Sequence, residues 1–592
     1  MRCRVGVACA LSVAVFAVSV PGRGQSSSTS GIRPAASRRP NVVIYLVDTL
    51  RADHLGIYGY DRNTSPVVDR WATGGVVFER AYAPCSWTKP SVVSLLSGLD
   101  PVSHGVEDRL DVIPAGVRLL AERLKSLGYS TLGAVTNPNV LSEWGFGRGY
   151  DVYDDLDSAG HGTRADSVSD HVAARIEELA RSQPFFLYLH VIDPHAPYEP
   201  PAPFDTRFPR SPALPAKMSI GNYDGEIAFV DSQFGRILEL LSRHDLDRDT
   251  MTIFVSDHGE ELLDHGAFGH GSTLFEEVVR VPLVIRFPNG LHAGARVNAR
   301  ASLSDVVPTV MSVIGESPPS GVDGRDLTEL LPTGKPGWAD REVFLSLRTS
   351  GPRSHLVRGV LSGPHKYLRR SRPTASESLY DIDHDPAETQ DLASVHSDLR
   401  QRLGASLDAY LAKRTSGIQF RVVNDAAGEP SDCEVVLQTN GRFNDVSGVR
   451  LEPEDRFELS DGGKRLILAC RLENRLQTTL TQPRLVPDED GLAFQVSPPG
   501  SSIVVKQLRL ANGRQLPLRA GAQRQLEAIP FVFEAADTAL SIRDVGELLG
   551  DAGSASEGGG VEAYLGVVSA AVASPELPEA LLDRLRALGY VD

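Results

Sequence analysis

Two candidate nucleophiles stand close together in Pro84-Cys85-Ser86-Trp87-Thr88-Lys89-Pro90-Ser91: the Cys85 thiol and the Thr88 hydroxyl. An apolar run, Val92-Val93-Ser94-Leu95-Leu96, follows and closes on Gly98. Proline suits the first turn of a helix, where its missing N–H costs nothing. The spacing therefore predicts a helix start at about Pro90, with Thr88 and Lys89 just outside it. A helix N-terminus offers unsatisfied N–H groups and positive partial charge, which suits a phosphate or sulfate group. A hydroxyl beside it is placed to attack an anionic ester. A threonine hydroxyl is a weak nucleophile, and metal coordination is one way to activate it.

The elements that must supply the metal ligands are strands. Asn41-Val42-Val43-Ile44-Tyr45-Leu46-Val47 is a continuous apolar run, as expected of a strand buried on both faces of a parallel sheet. It ends in Asp48-Thr49-Leu50-Arg51-Ala52-Asp53-His54. Ligands of open α/β sheets sit outside the carboxyl ends of the strands, where Asp48 stands. Ser130 to Val135 reads as a second strand. Phe185-Phe186-Leu187-Tyr188-Leu189 is a third and ends in His190-Val191-Ile192-Asp193-Pro194-His195-Ala196-Pro197-Tyr198. Met251 to Val255 is a fourth and ends in Ser256-Asp257-His258-Gly259-Glu260, and Pro282 to Phe287 is a further one. Helical patterns over about Val117 to Leu127, Asp166 to Leu179 and Tyr223 to Leu241 alternate with them. A doubly wound sheet brings the three Asp- or His-bearing strand ends to one edge. Asp48, Asp257 and His258 then form an oxygen and nitrogen ligand set that Thr88 completes. Any one Asp or His of these alone reads better as a cap or a surface group. Three strand ends in one chain favour a site.

The 592 residues allow several domains, and an apolar fraction of 41% is enough for real cores. A formal net charge of −16 argues against bulk nucleic-acid binding, which needs a basic face. Arg2 and Arg4, the apolar run from Val5 to Val20 and Pro21-Gly22-Arg23-Gly24 form a secretory signal pattern, expected over 1–24. The expected location is periplasmic or secreted, with membrane attachment only if that segment is not cleaved. Residues 25–39, rich in Ser, Pro and Arg, read as a disordered leader. Cys433 and Cys470 form one disulfide in an oxidising compartment, or are two small buried thiols. Cys85 is then the odd one out.

Between Arg39 and Leu411 the chain resembles the sulfatases of the alkaline phosphatase superfamily. The matching stretches are Asn41 through Asp53, Trp87-Thr88-Lys89-Pro90-Ser91 with Leu95-Leu96-Ser97-Gly98, and Asp193-Pro194-His195-Ala196-Pro197-Tyr198. Ser256-Asp257-His258-Gly259-Glu260, Phe268-Gly269-His270-Gly271, Arg280-Val281-Pro282-Leu283 and Leu379-Tyr380-Asp381 with Asp385-Pro386 continue the likeness. The resemblance implies an α/β fold with a doubly wound catalytic sheet over 40–339 and a smaller C-terminal α+β subdomain over 340–413. Short strand-like runs separated by Gly, Pro, Asn and Asp then predict a mainly β accessory domain over 414–550. A linker and a C-terminal helix, with Leu581, Leu582, Leu585 and Leu588 on one face, are expected over 551–592.

By the same resemblance Asp48, Thr88, Asp257 and His258 are metal ligands, Thr88 is the nucleophile, and His195 and His270 serve the anionic group or the leaving group. A second ion on Asp193, His195 and His270 is a lesser alternative. The departures from the family pattern are specific. Its nucleophile position carries Cys or Ser matured to formylglycine, followed by an Arg; here Thr88 and Val92 stand there. The methyl on the Thr β-carbon prevents oxidation to an aldehyde, so no formylglycine is expected. Gly133-Ala134-Val135-Thr136-Asn137 stands in place of the family's Gly-Lys-Trp-His stretch, Thr49 in place of its second Asp, and His258 in place of its Asn. These changes resemble superfamily members with a metal-bound Thr: phosphodiesterases, phosphonate hydrolases and phosphoethanolamine transferases. The expectation is one divalent ion (Zn, Mn or Ca, with Mg also open) and a small-molecule, glycan or lipid ester of sulfate or phosphate. Alternatives are a phosphotransferase with the same site and an inactive glycan-binding protein.

Overall fold

The computed structural model describes residues 39–424, with breaks at 110, 114–116, 157–163, 211–214, 320, 332–337, 339–340, 350–354 and 373, and beyond 424 the backbone of a set of strands. The expected signal segment, nearly all of the leader, the 551–560 linker and the Leu581–Leu588 helix lie outside the described residues. Among the described residues no helix is long and apolar enough to cross a membrane.

The strands of the first half are β1 (Asn41–Val47), β2 (Val76–Tyr82), β3 (Ser130–Val135), β4 (Val152–Asp155), β5 (Phe185–Val191), β6 (Thr250–Ser256), β7 (Glu261–Leu262), β8 (Phe268–Gly269), β9 (Arg280–Arg286), β10 (Arg296–Val297) and β11 (Ala301–Ser302). All but the small β7–β8 hairpin join one sheet, in the order β10-β2-β9-β6-β1-β5-β3-β4, with β11 also on β2. Neighbours from β6 to β4 run parallel. Strand β9 is antiparallel to both β6 and β2, so the sheet is mixed. The reason lies in the connection: the chain leaves β6, makes the β7–β8 hairpin and re-enters from the same edge, without the crossover that a parallel pair needs.

The helices are α1 (Pro66–Ala72), α2 (Thr88–Ser97), α3 (Pro101–His104), α4 (Leu120–Ser126), α5 (Ala165–Arg181), α6 (Ile220–Arg243), α7 (Glu276–Val279), α8 (Val306–Val313) and α9 (Ser397–Thr415). They cover both sheet faces, and β1 shows why an unbroken apolar run was required. Val42, Ile44 and Leu46 enter the core under α2, α4 and α8. Val43, Tyr45 and Val47 enter the opposite core under α5 and α6. Each such side chain stabilises the fold by roughly 1.5–3 kcal/mol relative to an exposed one.

A second, antiparallel sheet follows: β12 (Val343–Arg348), β13 (Leu356–Ser362), β14 (His365–Arg372) and β15 (Ser376–Asp381). Helix α9 packs Leu403, Leu407 and Tyr410 against its Val360, Tyr367 and Leu379. This sheet also supports the segment that leads into α2. Cys85 and Trp87 are buried with Leu345, Leu347 and Leu361, and Ser346 N donates to Pro84 O at 2.8 Å. Lys366 of β14, fully buried, reaches back to Leu274 O (3.0 Å), Glu276 Oε1 (2.9 Å) and Glu388 Oε1 (3.0 Å).

From Ser416 onward the described backbone is β-rich and forms two further sheets. Ser431–Thr439 pairs antiparallel with Arg465–Leu472, and its register sets Cys433 opposite Cys470. Val561–Ser569 pairs antiparallel with Ser416–Asn424. That strand corrects the expectation of only linker and helix over 551–592. Its alternation of Val561, Ala563, Leu565 and Val567 has the strand period of two.

Candidate active site

Strand register fixes the level at which the carboxylates emerge. Val47 pairs with Val191 of β5 on one side and Ser256 of β6 on the other. Asp48 and Asp257 therefore leave the sheet side by side. Cross-links hold these ends: Asp48 N donates to Val191 O (3.0 Å), Leu50 N to Ser256 Oγ (3.0 Å), and Ser256 Oγ to His258 O (2.7 Å).

Helix α2 is bolted to the same edge. Ser91 Oγ donates to Asp257 O at 2.6 Å. His104 of α3 braces it from behind, with Nε2 3.1 Å from Pro90 O and 3.0 Å from Ser94 Oγ. The helix begins at Thr88 and not at Pro90 as the proline position predicted, so Thr88 is its first helical residue. Every residue of α2 is buried, Lys89 included. Burial pushes the Lys89 amine well below its ordinary pKa, and its Nζ donates to the carbonyls of Arg109 and Asp111 over the Trp144 ring.

Thr88 Oγ1 lies 3.3 Å from His258 Nε2 and 3.5 Å from Asp48 Oδ2. His258 Nε2 is also 3.5 Å from Asp48 Oδ1 and from Asp257 Oδ2. Ligand atoms of Asp48, Asp257 and His258 all lie within 4.8 Å of one another, and all three side chains are buried. The donor set fits a cation. Asp48 Oδ1 and Asp257 Oδ2 are buried with no hydrogen-bond partner. His258 Nδ1 is 2.9 Å from Gly259 O, a carbonyl that can only accept, so the proton sits on Nδ1 and the Nε2 lone pair is left for the cluster. Burial foremost, with the nearby His270 adding to it, lowers the His258 pKa to about 3. Burial and the Asp48 charge push the Asp257 carboxyl well above its ordinary range, the penalty a bound cation removes.

His195 and His270 stand at the rim of the same cluster. Their rings are 5.1 Å apart, and that of His270 is 4.5 Å from that of His258. His195 Nδ1 donates to Ala196 O at 2.7 Å. Asp193 does not join them. Its carboxylate accepts from Ala165 N at 2.8 Å, at the start of α5, which leaves the second-ion alternative without its carboxylate.

Residues 40–316 match the family described as Sulfatase, and residues 264–414 match the C-terminal region of N-sulphoglucosamine sulphohydrolase. The chain belongs to the sulfatase family. Membership carries the enzyme class of sulfuric ester hydrolases. Among sulfatase relatives, N-acetylgalactosamine-6-sulfatase of Homo sapiens is 27% identical over 369 residues, covering 52% of this chain and 68% of the relative. Arylsulfatase of Clostridium perfringens is 25% identical over 440 residues, covering 60% and 90%. The solved phosphonate monoester hydrolase of Agrobacterium radiobacter superposes with a TM-score of 0.54 at 23% identity, covering 63% of this chain and 96% of that one, and so shares the fold.

Within this sulfatase the departures from the family pattern have visible local consequences. Thr49 has φ of 52°, a left-handed conformation costly for a β-branched residue. Its hydroxyl donates to Pro194 O, so the position of the family's second Asp is tied to the loop and not to the ligand cluster. Asn137, from the stretch that replaces Gly-Lys-Trp-His, donates its amide to Asp48 Oδ2.

Four residues of the site had no role in the sequence reading. Asn137 is one, and His190 is another, with Nε2 3.4 Å from Asp48 Oδ2 and Nδ1 3.0 Å from Tyr188 Oη. Glu260 places Oε1 2.9 Å from His270 Nδ1 and accepts from Tyr198 Oη at 3.0 Å. Burial pushes the Glu260 carboxyl up to about 7. Glu260 and Tyr198 both stood in the motifs quoted above, and their pairing across the loops was the unseen part.

Proposed function

We propose that this sulfatase cleaves a sulfate or phosphate ester by attack of Thr88 Oγ1, with one divalent ion held by Asp48, Thr88, Asp257 and His258. The observation that carries the reading is the position of Thr88 Oγ1 at the first residue of α2, 3.3 Å from His258 Nε2 and 3.5 Å from Asp48 Oδ2. A bound ion lowers the pKa of the hydroxyl and neutralises charge on the ester. Two carboxylates and an imidazole suit Zn or Mn.

The chain's own residues supply the remaining steps. The first turn of α2 has N–H groups without intrahelical acceptors, and these receive the ester's anionic oxygens. Thr88 Oγ1 bonds to sulfur or phosphorus as the bond to the ester oxygen breaks. His195 or His270 carries the proton given up by Thr88 to the departing alcohol. The product is a sulfo- or phospho-threonine. Water, giving a proton to the same histidine, releases the anion and restores the hydroxyl. The relatives named above support a glycan or small-molecule ester as substrate, and the N-terminal signal pattern supports export to the periplasm or beyond.

One assay panel tests this. Purified protein is offered aryl sulfate, aryl phosphate monoester and aryl phosphodiester, with and without chelator, beside Thr88→Ala. The expected result is chelator-sensitive hydrolysis of at least one ester and a loss of roughly a thousandfold in the variant, about 4 kcal/mol of transition-state stabilisation. Full activity in Thr88→Ala removes the nucleophile assignment. No hydrolysis of any ester by a protein without bound metal overturns the whole reading.

A further inference from the structure

A second cluster with metal-holding spacing lies beside the active site: Glu261, His265 and Glu277, whose ligand atoms are all within 4.8 Å of one another. Glu261 is on β7, His265 on the turn of the hairpin and Glu277 on α7. Glu261 is 1% exposed and Glu277 9%. Glu261 Oε1 accepts from Ala267 N at 2.8 Å, while Glu261 Oε2 is buried with no hydrogen-bond partner. His265 Nδ1 is 2.6 Å from Glu277 Oε1, and His265 Nε2 is likewise buried without a partner. The His265 ring is held flat on Phe275, with centroids 3.8 Å apart.

Charge balance is the second argument. The cations nearest this cluster are already engaged by other carboxylates: Arg51 is shared by Asp53 (2.8 Å) and Asp264 (2.6 Å), and Lys366 by Glu276 and Glu388. Within the cluster, two glutamates share a single histidine. Two buried carboxylates and one imidazole leave net negative charge in a site with two orphaned ligand atoms. A divalent cation meets both deficits at once.

We infer that Glu261, His265 and Glu277 hold a second divalent cation that ties the β7–β8 hairpin to α7. Two carboxylate oxygens and one imidazole nitrogen select Zn or Mn over Ca, which prefers six to eight oxygens. Water completes the coordination on the partly exposed side of His265. The position has a use. Glu260 N and Gly259 N donate to the carbonyls of Glu277 and Val278, and His270 follows β8 directly. The ion therefore fixes the hairpin that carries His270 and the backbone next to His258. It is separate from the active-site cluster, and its test does not use ester hydrolysis.

The experiment begins from metal-stripped Asp257→Asn protein, in which the active-site cluster has lost a carboxylate. Zn2+ is titrated by calorimetry, and Mn2+ binding is followed by paramagnetic resonance. The expected result is one ion per chain, with affinity falling at least a hundredfold when His265→Gln or Glu261→Gln is added. His265 is on a turn and partly exposed, so its variant keeps the fold, which near-UV circular dichroism verifies. Absence of binding by the Asp257→Asn protein overturns the inference. So does binding that survives both added substitutions.

Discussion

Thr88 Oγ1 and His258 Nε2 face each other at 3.3 Å across the edge where α2 meets the end of β6. Thr88 is brought there by a contact distant in sequence, and His258 by the end of β6 and its own neighbour. The helix is held to the strand end by Ser91 and Asp257, and His258 is turned by its own bond to Gly259 O. The pair is thus preset before any substrate arrives, which is what a site built for electrostatic stabilisation needs.

Glu260 is expected to act as a positioning residue for His270. Glu260→Gln keeps the shape and the Tyr198 contact but weakens the hold on His270 Nδ1. The expected outcome is a fall in kcat of roughly a hundredfold, in the range of general acid–base contributions. KM and metal content stay near wild type. An unchanged kcat across the pH profile removes Glu260 from the machinery.

Lys366 is expected to be a structural pin between the two sheets. It is fully buried between Glu276 and Glu388. Lys366→Met leaves two buried carboxylates without their cation and is expected to cost roughly 3–5 kcal/mol. Calorimetric unfolding measures the loss. Adding Glu276→Gln and Glu388→Gln recovers much of it, because the uncompensated charges are then gone.

Asp231 gives a pH dependence of stability. Its carboxylate accepts from Val67 N and Val68 N at the start of α1. Burial nevertheless raises its pKa from 3.8 to about 6, with Asp69 adding to the rise. Between those values the folded chain holds the proton more tightly than the unfolded one. This contribution is therefore full at low pH and fades as pH rises from about 4 to about 6, by up to about 3 kcal/mol. Asp231→Asn still accepts both N–H groups and lacks the charge. Its unfolding free energy, relative to wild type, is expected to rise across that window; a constant difference contradicts the assignment.

Cys433 and Cys470 are expected to be joined. Directly opposed residues of antiparallel strands have Cα atoms about 4.5–5.5 Å apart, inside the span that a disulfide bridges. Peptide mapping of protein exported to an oxidising compartment, alkylated without reduction, is expected to recover the linked pair. Both cysteines alkylated singly is the contrary result.

The sheet core and the ligand cluster were legible because strands buried on both faces read as unbroken apolar runs, and because chemistry collects at their carboxyl ends. That is why Asp48, Asp257 and His258 stood out. Strand β2 did not, since Glu79 and Arg80 interrupt it where its pairing with β9 shifts register between Phe78 and Ala81. The direction of β9 was hidden because periodicity carries no direction. Asn137 and His190 were missed for a different reason. They act only by meeting Asp48 through space, and their own stretches mark no such contact. The start of α2 was misjudged because Pro90 sits in the first turn without opening it.

The central place of β1 has a consequence for how the molecule is made. β1 is the first strand of the sheet to be synthesised, yet its two partners begin only at residues 185 and 250. Both edges of a segment that is apolar from Val42 to Val47 must wait unpaired until most of the catalytic domain exists. Such non-local topology folds slowly and exposes the chain to aggregation on the way. It also leaves the Thr88 hydroxyl without its full set of neighbours, because Asp48 meets Asp257 only when the last of those strands has docked. A nascent or cleaved chain that ends before β6 has Thr88 and Asp48 but neither Asp257 nor His258.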